Sequence, residues 1–482
     1  MNTNPSLILG RVRPFTDGTQ YSGVGTESLH FPYDNSVVAE VESSTVADVG
    51  VAVASARRAF VGWRDTPAYV RSACLERIAD AIVKNGEELA RTIVLETGKT
   101  ISDAMSEVAR SVATMRCSSE EAKRLEGHTV PLDAVQAGSG KFGVAIRVPF
   151  GVVAGISPFN APLNLTIHKL GPALAAGNSF VVKPHLHGSA VTVMLARLCT
   201  ECGIPNGVFN VVTGGPEVGR ALVTHPDVAL VNFTGSTAIG EAIAGLAAPR
   251  KVLLELGGTG PTIVHSDANL DAALSQCADG AFGLSGQSCV SVQRLYVHRS
   301  KFDEAVERVV AVARARRTGN PLDPATTLAP LINAQSANRI RGWIDEAVAG
   351  GATLHCGGEI DGAILTASVL SGVTSDMKVV KEEIFGPVVV VIPFDDIDEA
   401  FAAANAGPYG LKVGIFTNDL RIVLRAMREL EFGTVNINGP SRSRTDHEPS
   451  GGTKRSGWAK EGPRYAIEEM TYLRMVSFAK MN

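Results

Sequence analysis

What this chain lacks narrows its class before any motif is read. No apolar run in its 482 residues approaches the roughly 18 needed to cross a bilayer, so no membrane-embedded role is expected. No charge of one sign dominates: 45 Lys and Arg stand against 49 Asp and Glu, a net −4 with pI about 6.2. That balance offers no footprint for nucleic acid or an anionic membrane. The opening Met1-Asn2-Thr3-Asn4-Pro5 has no basic region followed by an apolar stretch, so no secretory leader is expected. Cysteine is sparse and odd in number: Cys74, Cys117, Cys199, Cys202, Cys277, Cys289 and Cys356 are widely scattered. This argues against a disulfide framework and for reduced thiols in a cytoplasm. Cys199 and Cys202 form a lone C-x-x-C without a second pair, and His185 and His187 have no partners at ligand spacing; no metal is expected.

What is present is the balance of a soluble globular protein, 45% hydrophobic and 20% charged, at a length that predicts two or three domains. Residues 45–63 read as an amphipathic helix, with a capping box from Thr45 to Asp48 and Val49, Val53, Ala56, Phe60 and Trp63 at helical spacing. A second helix is predicted across 70–92. Glycine-rich β-type runs at 138–149 predict a hairpin or extended arm. Apolar strands then alternate with helices: strands at 151–156, 179–183, 208–213, 229–233 and 251–256, with helices at 163–176 and 189–202 among them. Near-continuous apolar strands of this kind form a parallel sheet covered on both faces, a doubly wound, Rossmann-like dinucleotide-binding domain. After Gly257 the alternation restarts, with strands at 263–265, 294–298, 388–394, 413–416 and 434–437, so the fold class is α/β with a second α/β domain.

Cys289, in Gly286-Gln287-Ser288-Cys289, and Glu255, in Leu254-Glu255-Leu256-Gly257-Gly258, fall near the junction of the two domains. A thiolate is a strong nucleophile and a nearby carboxylate can be its general base, although most free cysteines are merely small buried hydrophobes. The usual G-x-G-x-x-G is absent. Phe233-Thr234-Gly235-Ser236-Thr237-Ala238-Ile239-Gly240 lies instead between a strand and a helix. It reads equally as a pyrophosphate cradle or as a helix start capped by Ser236 or Thr237.

Seven stretches share one pattern: Ser157-Pro158-Phe159-Asn160-Ala161-Pro162-Leu163, the run from Lys169-Leu170-Gly171-Pro172 to Gly177-Asn178, Lys183-Pro184, Gly235 to Gly240, Glu255-Leu256-Gly257-Gly258, Gly286-Gln287-Ser288-Cys289, and Glu382-Glu383-Ile384-Phe385-Gly386-Pro387. In order and content the chain resembles the NAD(P)-dependent aldehyde dehydrogenase superfamily from about residue 35 to its end. The resemblance implies oxidation of an aldehyde to the acid. Cys289 would attack to give a thiohemiacetal, Asn160 and the Cys289 N–H would hold the oxyanion, and Glu255 would activate water against the thioester. It implies a cofactor site of Ile156, Ser157, Lys183, His185, Gly215, Phe233, Gly235, Ser236, Leu256, Gly257, Glu383 and Phe385. Phe159, Ser288, Val290 and Arg444 would border the aldehyde. It also implies a cofactor domain of 1–124 and 148–256, a catalytic domain of 257–446, and oligomerisation elements at 125–147 and 467–482 that build a homodimer or homotetramer.

The chain departs from the family where NAD-strict members place a glutamate three residues after the lysine: Leu186 stands there, beside His185. Loss of that carboxylate removes the repulsion of a 2′-phosphate, so NADP as well as NAD is expected. Arg442-Ser443-Arg444-Thr445-Asp446-His447 resembles the branch of lactaldehyde, phosphonoaldehyde and non-phosphorylating glyceraldehyde-3-phosphate dehydrogenases. Its arginines either clamp an anionic group or form ion pairs. The competing readings are an acylating enzyme that passes the thioester to coenzyme A, against which Glu255 speaks, and a catalytically silent homologue, against which the intact Cys289, Glu255 and Asn160 set speaks.

Overall fold

The computed structural model describes residues 8–479. The leader reading at Met1–Pro5 and the last three residues of the expected C-terminal element lie outside it. Helices α1 (Val46–Arg64), α2 (Ala68–Lys84), α3 (Gly86–Thr97), α4 (Ile101–Ala122), α5 (Pro162–Ala176), α6 (Ser189–Glu201), α7 (Pro216–Thr224) and α8 (Thr237–Ala247) belong to the first half. The predicted capping box starts α1: the Thr45 side chain accepts from the Asp48 amide, and the Asp48 carboxylate takes the Thr45 amide at 2.8 Å. The single helix expected over 70–92 is two. Asn85, at φ −102° and ψ 17°, leaves the helical region between α2 and α3, and its side-chain amide donates to the Ala81 carbonyl. Helix α4 has no counterpart among the predicted elements. Ser111, Thr114, Ser118 and Ser119 lie buried on its core face, which blurs the apolar stripe that marks a helix.

The first sheet has five parallel strands in the spatial order Lys251–Glu255, Val228–Thr234, Val152–Ser157, Ser179–Pro184, Phe209–Val211, with the short Phe15–Thr16 and Thr19–Gln20 beyond. The order reverses between Val152–Ser157 and Val228–Thr234, and the crevice beyond their C-terminal ends is where such sheets take a dinucleotide. The second sheet runs Thr353–Cys356, Ser368–Ser371, Val388–Phe394, Arg294–His298, Pro261–Val264, Lys412–Phe416, Thr434–Ile437. Only its first strand is antiparallel. The chain crosses between the sheets directly after Glu255, so that residue ends a strand of one while the other begins at Pro261.

The expected arm is a separate antiparallel sheet of His128–Val130, Phe142–Pro149 and Thr471–Phe478, the last two paired along their whole length. Phe142, Leu473, Met475 and Phe478 are exposed on it. No helix among the described residues is long and apolar enough to cross a membrane.

Candidate active site

A cavity of about 510 Å³ opens at the strand-order reversal and runs to the junction of the two sheets. Ile156 and Ser157 from one strand end, Phe233 and Thr234 from the other, and the Gly235–Ser236 turn into α8 line its near end. Ser236 occupies the N-cap position with extended backbone, yet its side chain caps nothing. The hydroxyl and the first amides of α8 are therefore free for an anion, and the phosphate-cradle reading is favoured over the capped-helix one. Among the described residues the Lys183 ammonium bonds only the Pro184 carbonyl, 3.0 Å away. A Cβ on Gly257 would come within 2.6 Å of the Glu383 carboxylate, so only glycine leaves that approach open. Glu383 is tethered through the Gly258 amide at 3.1 Å, and burial pushes its carboxyl up to about 7. The Phe385 ring meets Phe159 edge-on at 5.9 Å, and Phe159 in turn packs on His185 at 5.3 Å. These residues fit a nicotinamide dinucleotide: an uncapped helix start for phosphate, a lysine and a carboxylate for ribose hydroxyls, and an aromatic face between them.

Beside His185, Leu186 supplies no carboxylate. The His185 Nδ1 accepts the His187 amide at 3.2 Å, which fixes the proton on Nε2 and leaves that N–H as a donor. Burial first, then His187 and Lys183, lower its pKa to about 3, so the ring is neutral.

At the far end the segment before Cys289 is forced into an unusual path. Leu284, Ser285 and Gly286 take φ of 54°, 51° and 69° in succession. Two non-glycine residues in the left-handed region are costly and need outside support. Ser285 Oγ donates to the Ala329 carbonyl at 2.7 Å, and the Gln287 side chain accepts the Ile332 amide at 2.9 Å. At Gly286 a Cβ would lie 1.9 Å from the Gly386 carbonyl oxygen, which excludes any other residue. The Asn160 side-chain amide donates to the Gln287 carbonyl at 3.1 Å. That bond holds Asn160 beside the cysteine loop and leaves its second N–H unused. The Cys289 amide finds no backbone acceptor among the described residues.

Cys289, Glu255, Asn160, Val290 and Arg444 border this end. Burial, and then Glu383, push the thiol up to about 12. Glu255 is buried with one carboxyl oxygen unpartnered, and burial together with Glu461 raises it well above the usual carboxylate range. Burial works against the charge of Glu461 too, but Arg444 and Lys169 overcome it and keep that carboxylate ionised. Arg444 donates to Glu461 at 2.7 Å, and Lys169 lies 3.9 Å from its other oxygen. The repulsion between the two carboxylates therefore raises Glu255 and not Glu461, against which the cations lie.

Two expected site residues are not among those that border the cavity. Gly215 sits at the N-terminus of α7, where a Cβ would meet Glu217. Ser288 spends its amide on Gly286 and its carbonyl on the Ser291 amide, turning the chain toward Cys289. Phe159 borders the same cavity as Arg444 and packs there against Phe385 and His185. Of the two arginines considered together, Arg444 alone borders the cavity, whereas Arg442 reaches the Asp279 carbonyl behind Gly283. Glu461 and His168 escaped the sequence reading. His168 and Lys169 were detectable as adjacent titratable residues in the otherwise apolar α5, but Glu461 has no local signal at all.

A dinucleotide crevice that ends on a half-buried cysteine and a buried carboxylate defines a nicotinamide-linked oxidoreductase of carbonyl compounds. The chain belongs to the aldehyde dehydrogenase family, whose model matches residues 21–476, and it oxidises aldehydes to carboxylic acids with a nicotinamide cofactor. It is 43% identical over 445 residues to the 3-sulfolactaldehyde dehydrogenase of Priestia aryabhattai, covering 92% of this chain and 93% of that one. It is 35% identical to the NADP-dependent glyceraldehyde-3-phosphate dehydrogenase of Streptococcus equinus, over 93% and 95% of the two chains. Aldehyde dehydrogenase 21 from Physcomitrella patens, solved in complex with the reaction product succinate, superimposes with a TM-score of 0.95 at 35% identity over 98% of both chains.

Proposed function

We propose that the chain oxidises a small aldehyde bearing an anionic group, with NADP+ accepted at least as well as NAD+. The carrying observation is the cavity itself, which joins the dinucleotide crevice to Cys289 and ends at a buried arginine. At that end Arg444 borders the cavity beside Glu461, and Lys169 lies on the other side of the same carboxylate. A guanidinium there suits a sulfonate, phosphate or carboxylate; two of the similar proteins are named for anionic aldehydes and the third was solved with succinate. In this reading Cys289 adds to the aldehyde carbon, and its sulfur remains bonded through thiohemiacetal and thioester. Asn160 and the Cys289 amide hold the oxyanion, each such donor being worth about 2.7–4 kcal/mol in other enzymes. The bound cofactor supplies a hydride acceptor. Glu255 takes the proton of the water that releases the acid.

The test is a panel of aldehydes of equal length, with and without the anionic group, against both cofactors. Arg444→Met is expected to lower kcat/KM for the anionic member relative to the neutral one by roughly 10- to 150-fold, the worth of one hydrogen bond to a charged group. Because Arg444 also holds Glu461, only the ratio is diagnostic, since losses common to both substrates cancel. An unchanged ratio would remove Arg444 from substrate recognition.

Leu186→Glu should weaken NADP+ more than NAD+ by about 1–3 kcal/mol, through repulsion of the 2′-phosphate in a partly desolvated site. Lys183 and the Nε2–H of His185 are the wild-type donors to that phosphate. A wild-type preference for NAD+ above about tenfold, roughly 1.4 kcal/mol, would refute this cofactor reading. We further assign the exposed apolar face of the arm to a second copy of the chain in the cytoplasm, as a dimer or tetramer; a monomer alone at sedimentation equilibrium would contradict it.

A further inference from the structure

Two buried carboxylates that this chemistry does not use stand behind the cavity. Glu107, in α4, is 4% exposed. Its Oε1 accepts the Leu163 amide at 2.9 Å and the Asn164 amide at 3.2 Å, while its other oxygen pairs with the Lys99 ammonium. Glu96, near the end of α3, is fully buried. Its two oxygens accept the Ala190 amide at 2.7 Å and the Val191 amide at 3.0 Å, and its main-chain carbonyl takes the His187 ring.

These acceptors sit at equivalent places. Leu163 and Asn164 are the second and third residues of α5, and Ala190 and Val191 are the second and third residues of α6. First-turn amides have no acceptor within their own helix and are normally satisfied by a side chain at the N-cap. Ala161 and Gly188 occupy those N-caps, and neither can do this. The caps come from α3 and α4 instead, as carboxyl groups whose oxygens meet the exposed amides at the positive ends of two helix dipoles. The two helices have a further common feature: the segment entering α5 carries Phe159 and Asn160, and the segment entering α6 carries Lys183 and His185.

We propose that Glu107 and Glu96 are positioning residues for the reaction, with a division of labour. Glu107 fixes the segment that sets Asn160 against the cysteine loop, and Glu96 fixes the segment that sets Lys183 and His185 against the cofactor. This rests on the reading that Asn160 serves the oxyanion and that Lys183 and His185 meet the cofactor. Asn160 is bonded to the Gln287 carbonyl, so a small displacement of its backbone changes the distance on which oxyanion stabilisation depends. Glu96 has no cation paired with it, and burial and the nearby charge of Glu107 push it up to about 8 despite the two amides. Glutamine there keeps the shape but offers one acceptor oxygen where Glu96 offers two, so one first-turn amide of α6 loses its partner.

The experiment measures kcat with both substrates saturating, cofactor Kd by fluorescence titration, and Tm, for Glu107→Gln, Glu96→Gln, Asn160→Ala and Lys183→Ala. Glu107→Gln should lower kcat by about tenfold or more with Kd within about twofold of wild type, like Asn160→Ala. Glu96→Gln should raise Kd about fivefold or more with kcat within about twofold, like Lys183→Ala. The aspartate variants at both positions, which keep the carboxyl group but draw it back by one methylene, should show the same split and serve where a glutamine variant does not accumulate. A merely structural role would lower Tm and move both parameters together, and that outcome overturns the proposal. If Asn160→Ala lowers kcat and Glu107→Gln does not, the positioning role falls while the oxyanion reading stands. If Asn160→Ala itself leaves kcat intact, the oxyanion reading falls and takes the Glu107 half with it; Lys183→Ala decides the Glu96 half in the same way.

Discussion

Cys289→Ala is expected to abolish aldehyde-dependent reduction of NAD(P)+, by on the order of 10⁴-fold or more, the scale on which removing a nucleophile acts in other covalent enzymes. Cofactor should still bind, because Lys183, Ser236 and Glu383 lie along the crevice and owe nothing to the thiol. No other cysteine borders the cavity, so none can substitute. The free enzyme should also report the thiol's environment. With its pKa pushed up to about 12 by burial and Glu383, the thiolate is a small fraction at neutral pH. Alkylation of Cys289 by iodoacetamide should then rise about tenfold per pH unit between 7 and 9, without a plateau. Substantial turnover by the alanine variant would remove Cys289 from the chemistry, and an alkylation plateau below pH 8 would show a thiol far more acidic than its burial implies.

Glu255→Gln is expected to separate the two halves of the reaction. One NAD(P)H per site should form in a burst, followed by turnover slowed by about 10²- to 10⁴-fold, the usual contribution of a positioned general base. Glutamine keeps the volume and polarity of the side chain but cannot accept a proton from water. The sign of the pH dependence follows from the neighbours. Arg444 and Lys169 keep Glu461 ionised, while burial and the Glu461 charge raise the pKa of Glu255. A base with a raised pKa becomes competent at higher pH than an ordinary carboxylate, so wild-type steady-state kcat should climb as pH rises through it and the glutamine variant should lack that climb. Wild-type turnover in Glu255→Gln would end this assignment.

Much of the architecture was legible because its signals are local. Apolar strands of five or six residues, each followed by a helix, report a parallel sheet wherever they occur, and Thr45 and Asp48 announce a helix start within four residues. Glycines at 286 and 257 were informative for the same reason: a close backbone approach or a left-handed turn leaves its mark on the residue that makes it. The errors arose where a local pattern competed with a neighbour. Asn85 breaks a helix that periodicity alone would carry through, and the buried hydroxyls of α4 hide its apolar face.

By itself, then, the sequence determined the α/β class, the order of the sheets, the family resemblance, and the placing of Cys289 and Glu255 near their junction. Tertiary structure decided what pairs with what. Glu461 reaches Lys169 and Arg444, Glu107 reaches the start of α5, and Glu96 reaches the start of α6, across separations that no local periodicity encodes. The protonation of Glu255 and Cys289 belongs to the same category. A side chain's charge is set by how much water it loses and which charges face it, and both are properties of the packed interior rather than of adjacent residues.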